Sequence, residues 1–130
     1  MNAPIEHIYL SQQAKEQLIV LKRRTGIQNW NVLCRWAFTA SLADAEPPTV
    51  VRIPADSSVE MTWKVFGGTQ EQLYLALLRQ RCLIDGVGLD DEVLAQQFRL
   101  HLHRGIGLLF GNPGLQTIAD LVGLAIAPPE

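Results

Sequence analysis

Long apolar runs are missing from this chain. No stretch approaches the ~20 residues that a helix needs to cross a bilayer, and no N-terminal segment has the layout of a signal peptide. Cysteine is scarce as well: Cys34 and Cys82 are the only two. Both lie in apolar segments with no CxxC spacing, which excludes a disulfide framework and reads as buried, reduced thiols. Charged residues make up only 18% of the chain against 48% apolar, a balance that excludes intrinsic disorder. The expectation is a soluble, cytoplasmic protein. Its 130 residues suit one domain that buries about two-thirds of its unfolded surface without staples.

Motifs for metal or bond-making chemistry are lacking too. Of the three histidines, His7 stands alone. His101 and His103, two apart, point about 160° from each other on a helix, and no cysteine or carboxylate lies at zinc-like spacing. The glycines at 105–107 (GIG) and 111–114 (GNPG) lack the GK[ST] ending of a phosphate loop and follow no predicted strand, so they read as helix-terminating turns. Asp90, Asp91 and Glu92 read as the acidic start of a helix. A nucleophilic or sulfur-carrying cysteine would need a cation beside it. Arg35 follows Cys34 and Arg81 precedes Cys82, but neighbours on a helix diverge by about 100°; core thiols are the better reading. No Ser-His-Asp set stands out. No catalytic residue, metal site or cofactor is expected, nor an enzyme.

Periodicity gives a mainly helical fold with minor strand. Residues 5–10 read as a short extended segment. Ser11 is an N-cap for a helix to about Thr25, and Gly26 suits the left-handed position after it. Asn29 caps a second helix to about Ala43, closed by Pro47-Pro48. Val59, Met61, Trp63 and Val65 alternate with Glu60, Thr62, Lys64 and Phe66 like a strand, with VVRI (50–53) as its hairpin partner. Thr69 and Gln72 make a capping box for a helix to about Ile84. Asp90 caps another, which carries Leu94, Phe98 and Leu102 and is limited by Gly105, Gly107 and the break at 111–114. A last short helix carries Leu115, Ile118, Ala119 and Val122 before the tail Pro128-Pro129-Glu130. These parts, 1–46, 50–66 and 69–124, form one domain over 1–130.

On the first helix Ala14, Leu18 and Leu21 share a face, while Ile19 and Val20 fall off it. A helix apolar beyond one stripe needs a second neighbour, either a partner chain or a fully internal position. Trp30, Trp36 and Trp63 offer stacking surfaces for unpaired bases, but packing is the more common use of such area.

What is present in concentration is a basic segment. Net charge is −2, yet Lys15, Lys22, Arg23, Arg24 and Arg35 stand against one nearby acid, Glu16. Lys15 and Lys22, seven apart, fall within about 20° of each other. Arg23 and Arg24 fan around the helix end, and the next helix begins there with free N–H groups and with Asn29 and Asn31. An anion-binding surface for a phosphate backbone is one reading. Cations stabilising a helix C-terminus are the other.

The stretch HIYLSQQAKEQLIVLKRRTGIQNWNVLCRWAF resembles a ribbon-helix-helix unit, in which two chains pair their strands and interlock their helices. More closely, LSQQAKEQLIVLKRRTGIQNWNVLCRWAF, VEMTWKVFGG and HLHRGIGLLFGNPGLQTIADLV resemble the DndE family of DNA sulfur modification (phosphorothioation). The resemblance spans most of the chain. It implies a DNA-binding accessory subunit working with the other Dnd proteins on double-stranded DNA, nicked duplex included, as a homo-oligomer such as a tetramer. Lys15, Lys22, Arg23, Arg24 and Arg35 would meet phosphates, with Asn29 and Asn31 assisting. It also leaves room for an assembly subunit that bridges the sulfur-transfer proteins without touching DNA. More than eighty residues follow the second helix, unlike a simple ribbon-helix-helix repressor, so base reading is not assigned to His7 or Tyr9.

Overall fold

A computed structural model describes residues 4–112, 114, 115, 117, 119, 120, 122 and 123. The first helix, α1 (Gln12–Thr25), starts where Ser11 caps it: the hydroxyl accepts from the Ala14 N–H at 3.1 Å. It stops where Gly26 takes φ 75°, and the Gly26 N–H returns to the Lys22 carbonyl at 2.9 Å. Ala14, Leu18 and Leu21 are buried along the predicted face. Ile19 is 39% exposed, so α1 is not fully internal. Helix α2 (Trp30–Ala43) follows with Asn29 in the N-cap position, although the Asn29 side chain makes no capping bond.

Strand β1 (His7–Tyr9) pairs antiparallel with β2 (Glu60–Thr62), opposing His7 to Thr62 and Ile8 to Met61. Within the chain, the strand of the strand–helix–helix unit is thus paired along one edge to β2. The hairpin expectation is corrected, because residues 50–53 form no strand. The alternation through Phe66 ends early for a local reason. Thr62 Oγ1 accepts from the Val65 N–H at 3.1 Å, which caps a short helix α3 (Trp63–Gly67). Trp63 and Phe66 are then three apart on a helix, and both are buried.

A 3-10 turn (Gly68–Gln70) leads into α4 (Glu71–Asp85). The capping box does not form: Thr69 lies within the turn, and the N-cap position falls to Gln70 without a side-chain bond. The last long helix, α5 (Asp91–Phe110), has Asp90 in the N-cap position, again without a side-chain bond. It runs straight through Gly105 and Gly107, which were expected to limit it. Packing overrides propensity there. A Cβ on Gly105 would overlap the Ala37 carbonyl, so the glycine lets α5 meet α2 backbone to backbone. Beyond it, Ala119, Asp120, Val122 and Gly123 are helical. Pro113, Ile118 and the tail Pro128-Pro129-Glu130 lie outside the described residues.

Helix α5 is the centre of the fold, packed mainly against α2 and then α1. Phe98 on α5 meets Phe38 on α2 at 5.1 Å, Trp63 at 5.1 Å and Phe66 at 5.0 Å between ring centroids. The long loop after α2 is held by arginines rather than by strand pairing. Arg81 donates to the carbonyls of Leu42, Asp44 and Glu46, Arg104 to those of Ser41 and Glu46, and Arg99 to those of Tyr9 and Ile53. Backbone acceptors that a regular element would satisfy are met by guanidinium donors instead.

Candidate nucleic-acid interface

The five cations of the basic segment do not form one continuous patch. Around α1 the buried face separates two flanks, with Lys15 and Lys22 on one and Arg24 on the other. Lys15 Nζ donates to Ser58 Oγ at 3.0 Å. Beside it, Asp56 Oδ1 accepts from the Gln12 N–H at 2.8 Å, which places a carboxylate at the start of α1. One end of the expected stripe is thus tied to the acidic loop.

The other end is different. Lys22 Nζ lies 4.5 Å from the ring centroid of Trp30, so the first residue of α2 supports the ammonium by cation–π contact. Arg23 is exposed on the outward face and makes no hydrogen bond or ion pair among the described residues. Arg24 turns to the far side, where Nη1 donates to the Phe110 carbonyl at 3.0 Å and the guanidinium stacks at 5.4 Å over the Phe110 ring. Its role is to tie α1 to the end of α5.

Asn29 is exposed at the start of α2. Asn31 is occupied: its Nδ2 donates to the Val65 carbonyl at 3.2 Å and joins α2 to α3. One turn on, Arg35 lies against the Gly68 backbone, where a Cβ would stand 3.5 Å from Arg35 Nη1. Arg35 lines an open groove of about 280 Å³ with Val32, Trp36, Thr39 and Tyr74. Among the described residues the one ion pair is elsewhere, Arg81 with Asp85 at 2.9 Å. The structure therefore keeps Lys22, Arg23 and Arg35 available to an anion and commits Arg24 and Asn31 to the fold. Tyr74, which no local pattern joins to Arg35, arrives from α4 through tertiary packing. The tryptophans divide as well. Trp63 is core, Trp30 carries Lys22, and Trp36 borders the groove.

A larger cleft, about 400 Å³, runs under the loop past Ser11, Thr49, Arg52, His103 and Arg104. Its histidine is spent: Nε2 accepts from the Ser11 N–H at 3.2 Å and Nδ1 donates to the Arg99 carbonyl at 2.9 Å. Burial pushes the His103 pKa down. Arg104 is likewise engaged through all three guanidinium nitrogens. The cysteines are free and buried. Burial pushes the Cys34 thiol up to about 12, and burial, with the charge of Asp85 added, raises that of Cys82. A thiolate is disfavoured at both. No cluster of metal-ligating side chains occurs among the described residues, and no helix among them is long and apolar enough to cross a membrane.

These features define a small, mainly α protein with an N-terminal two-stranded ribbon and a cationic corner between α1 and α2. The family model described as "DNA sulphur modification protein DndE" matches residues 7–117, so the chain belongs to the DndE family. The fold agrees with two solved structures. One is DndE from Escherichia coli B7A, involved in DNA phosphorothioation modification, at 24% identity and TM-score 0.67, covering 80% of this chain and 95% of that one. The other is a lysine-substituted DndE mutant involved in DNA phosphorothioation, at 21% identity and TM-score 0.63, covering 82% and 98%. Among curated proteins none matches significantly.

Proposed function

We propose that this chain is a DNA-binding accessory subunit of the bacterial DNA phosphorothioation system, a cytoplasmic, non-catalytic protein that grips duplex DNA, nicked duplex included, by its phosphates. The observation that carries this reading is the α1–α2 corner, where Lys22 and Arg23 have no acidic partner among the described residues, with Arg35 a further unpaired cation beyond it on α2. The first N–H groups of α2 open at the same corner and add partial positive charge. Contacts of this kind position DNA without reading its sequence. Lys15 and Asn29 lie at the margins of the surface, and Arg24 and Asn31 support it from within. Membership of a DNA sulphur modification family supplies the context. A thiol held near 12 at Cys34 supports a role other than sulfur transfer by that residue.

The working form is a homo-oligomer. On α4, Leu73, Leu77, Gln80 and Ile84 fall at the 4-3-4 spacing of a helix–helix seam, and Leu73 and Ile84 are 53% and 72% exposed. A second copy of the same stripe is a self-complementary cover for it.

Binding of intact and singly nicked duplexes across a salt series tests the DNA reading. Replacing Lys22 and Arg23 together by alanine should weaken binding and flatten the log–log salt slope by about 2, since each lost phosphate contact removes about 0.9. Affinity and slope unchanged from wild type would overturn the assignment. In that case the protein is an assembly subunit bridging the sulfur-transfer proteins.

A further inference from the structure

We infer that the groove between α2 and α4 takes one unstacked nucleotide, its base laid against Trp36 and its phosphate held by Arg35 and the Tyr74 hydroxyl. This rests on the DNA-binding reading and adds a structural preference to it.

The groove is chemically one-sided. Its lining is Val32, Arg35, Trp36, Thr39 and Tyr74, with no carboxylate. Arg35 has no acceptor among the described residues, unlike Arg24, Arg81, Arg99 and Arg104, each of which is hydrogen-bonded within the chain. Its head lies beside Gly68, where an added Cβ would stand 3.5 Å from Nη1 and where φ 57° with ψ −137° favours glycine. Thr39 does not compete as a donor, because its hydroxyl is bonded back to the carbonyls of Arg35 and Trp36 at 3.1 and 2.9 Å. That leaves the guanidinium, the phenol and the Trp36 indole N–H as the donors of the groove.

The aromatic side chains are held differently. Tyr74 is fixed by its ring, with centroids 5.3 Å from Phe66 and 6.3 Å from Phe38, while its hydroxyl has no partner among the described residues. Trp36 borders the groove on the outward side of α2 beside Val32, only partly buried. A flat ligand face with an attached anion matches this set, and nucleic-acid proteins hold unpaired bases on aromatic side chains in that way. The volume, about 280 Å³, lies at the lower bound of small-molecule pockets, ~300–1,000 Å³, which suits one nucleotide rather than two. Arg35 is five residues beyond Trp30, ~7.5 Å along the helix axis.

The test compares a fully paired duplex with one that carries a single unpaired 2-aminopurine, by affinity and by fluorescence, with circular dichroism confirming that each variant is folded. Wild type should prefer the unpaired duplex by about tenfold, or about 1.4 kcal/mol, and quench its fluorescence. Trp36→Leu and Arg35→Gln should each abolish the preference. Tyr74→Phe keeps the ring in the core and should cost about threefold on the unpaired duplex alone. Equal, salt-sensitive binding of both duplexes with unchanged fluorescence would overturn the groove and leave the phosphate grip standing. No binding of either duplex at low salt by folded protein would overturn both, and would make an acidic peptide the occupant of the groove.

Discussion

At residue scale the basic side chains sort by what they touch. Arg81, Arg99 and Arg104 bond to carbonyls of the loop after α2 and of β1, so the fold consumes their donors. His101 belongs to the same network. It is fully buried, and Ser41 Oγ lies 2.8 Å from its Nδ1. Arg104 Nε donates to the same oxygen at 2.8 Å. Burial, with the charges of Arg104 and Arg81, lowers the ring's pKa to about 4, so it is neutral near pH 7. The unfolded chain takes up this proton near the ordinary value of 6.5, whereas the folded chain resists. The contribution is fully present above pH 6.5 and is lost as pH falls toward 4. Stability should drop by about 2 kcal/mol between pH 7.5 and pH 5 on this account, with a smaller loss in the same direction from His103. Urea unfolding at the two pH values measures it. His101→Gln should flatten the dependence, and an equally steep curve in that variant would assign the proton uptake elsewhere.

At the scale of elements, the meeting of α2 and α5 is controlled by one position. Gly105→Ala should destabilise the protein by at least the ~1–3 kcal/mol of an overpacked core, because the obstacle is the Ala37 carbonyl and a backbone cannot change rotamer. Gly107 is the control. A Cβ there meets nothing within 4 Å, so Gly107→Ala should raise stability by up to ~1 kcal/mol through helix propensity. Thermal unfolding of the pair separates the two effects, and a loss of the same size in both variants would refute the close-approach argument. The same contrast explains what the sequence disclosed. Ser11, Gly26, the buried face of α1 and the limits of α1 and α2 were legible because caps and 3.6-residue periodicity are local. The end of β2 was not, since Thr62 serves equally as a strand residue and as a cap. The partner of β2 was misread because the nearest candidate, 50–53, lost to a strand fifty residues away. Gly105 read as a stop signal because its neighbour on α2 is invisible to a local pattern. The candidate site divided on the same line: charge density singled out the basic segment, but the separation of Lys22 from Arg24 and the meeting of Arg35 with Tyr74 come from tertiary packing.

For the whole molecule the difficulty is charge. A net −2 repels a polyanion at long range, and a corner of two available cations with a third farther along α2 is a small footprint in a single copy. Self-association would alter this without altering the chain, because linked copies would present their corners together and raise the effective concentration of the second contact. The stripe on α4 is the surface argued to do so. In sedimentation the wild-type protein should behave as an oligomer, and Leu73→Glu with Ile84→Glu should behave as a folded monomer, because each pairing would set buried carboxylates against apolar side chains. The two positions are 53% and 72% exposed in the single chain, so the substitutions spare the core. The monomer should keep the weak grip of one corner but lose the avidity, weakening by tenfold or more on a duplex long enough to touch two copies and changing little on one that reaches a single copy. An oligomer that survives the double substitution would place the interface on another face. A wild-type protein that is monomeric and still binds DNA tightly would mean that three cations and the start of α2 suffice, and that the apolar stripe serves a partner of different sequence.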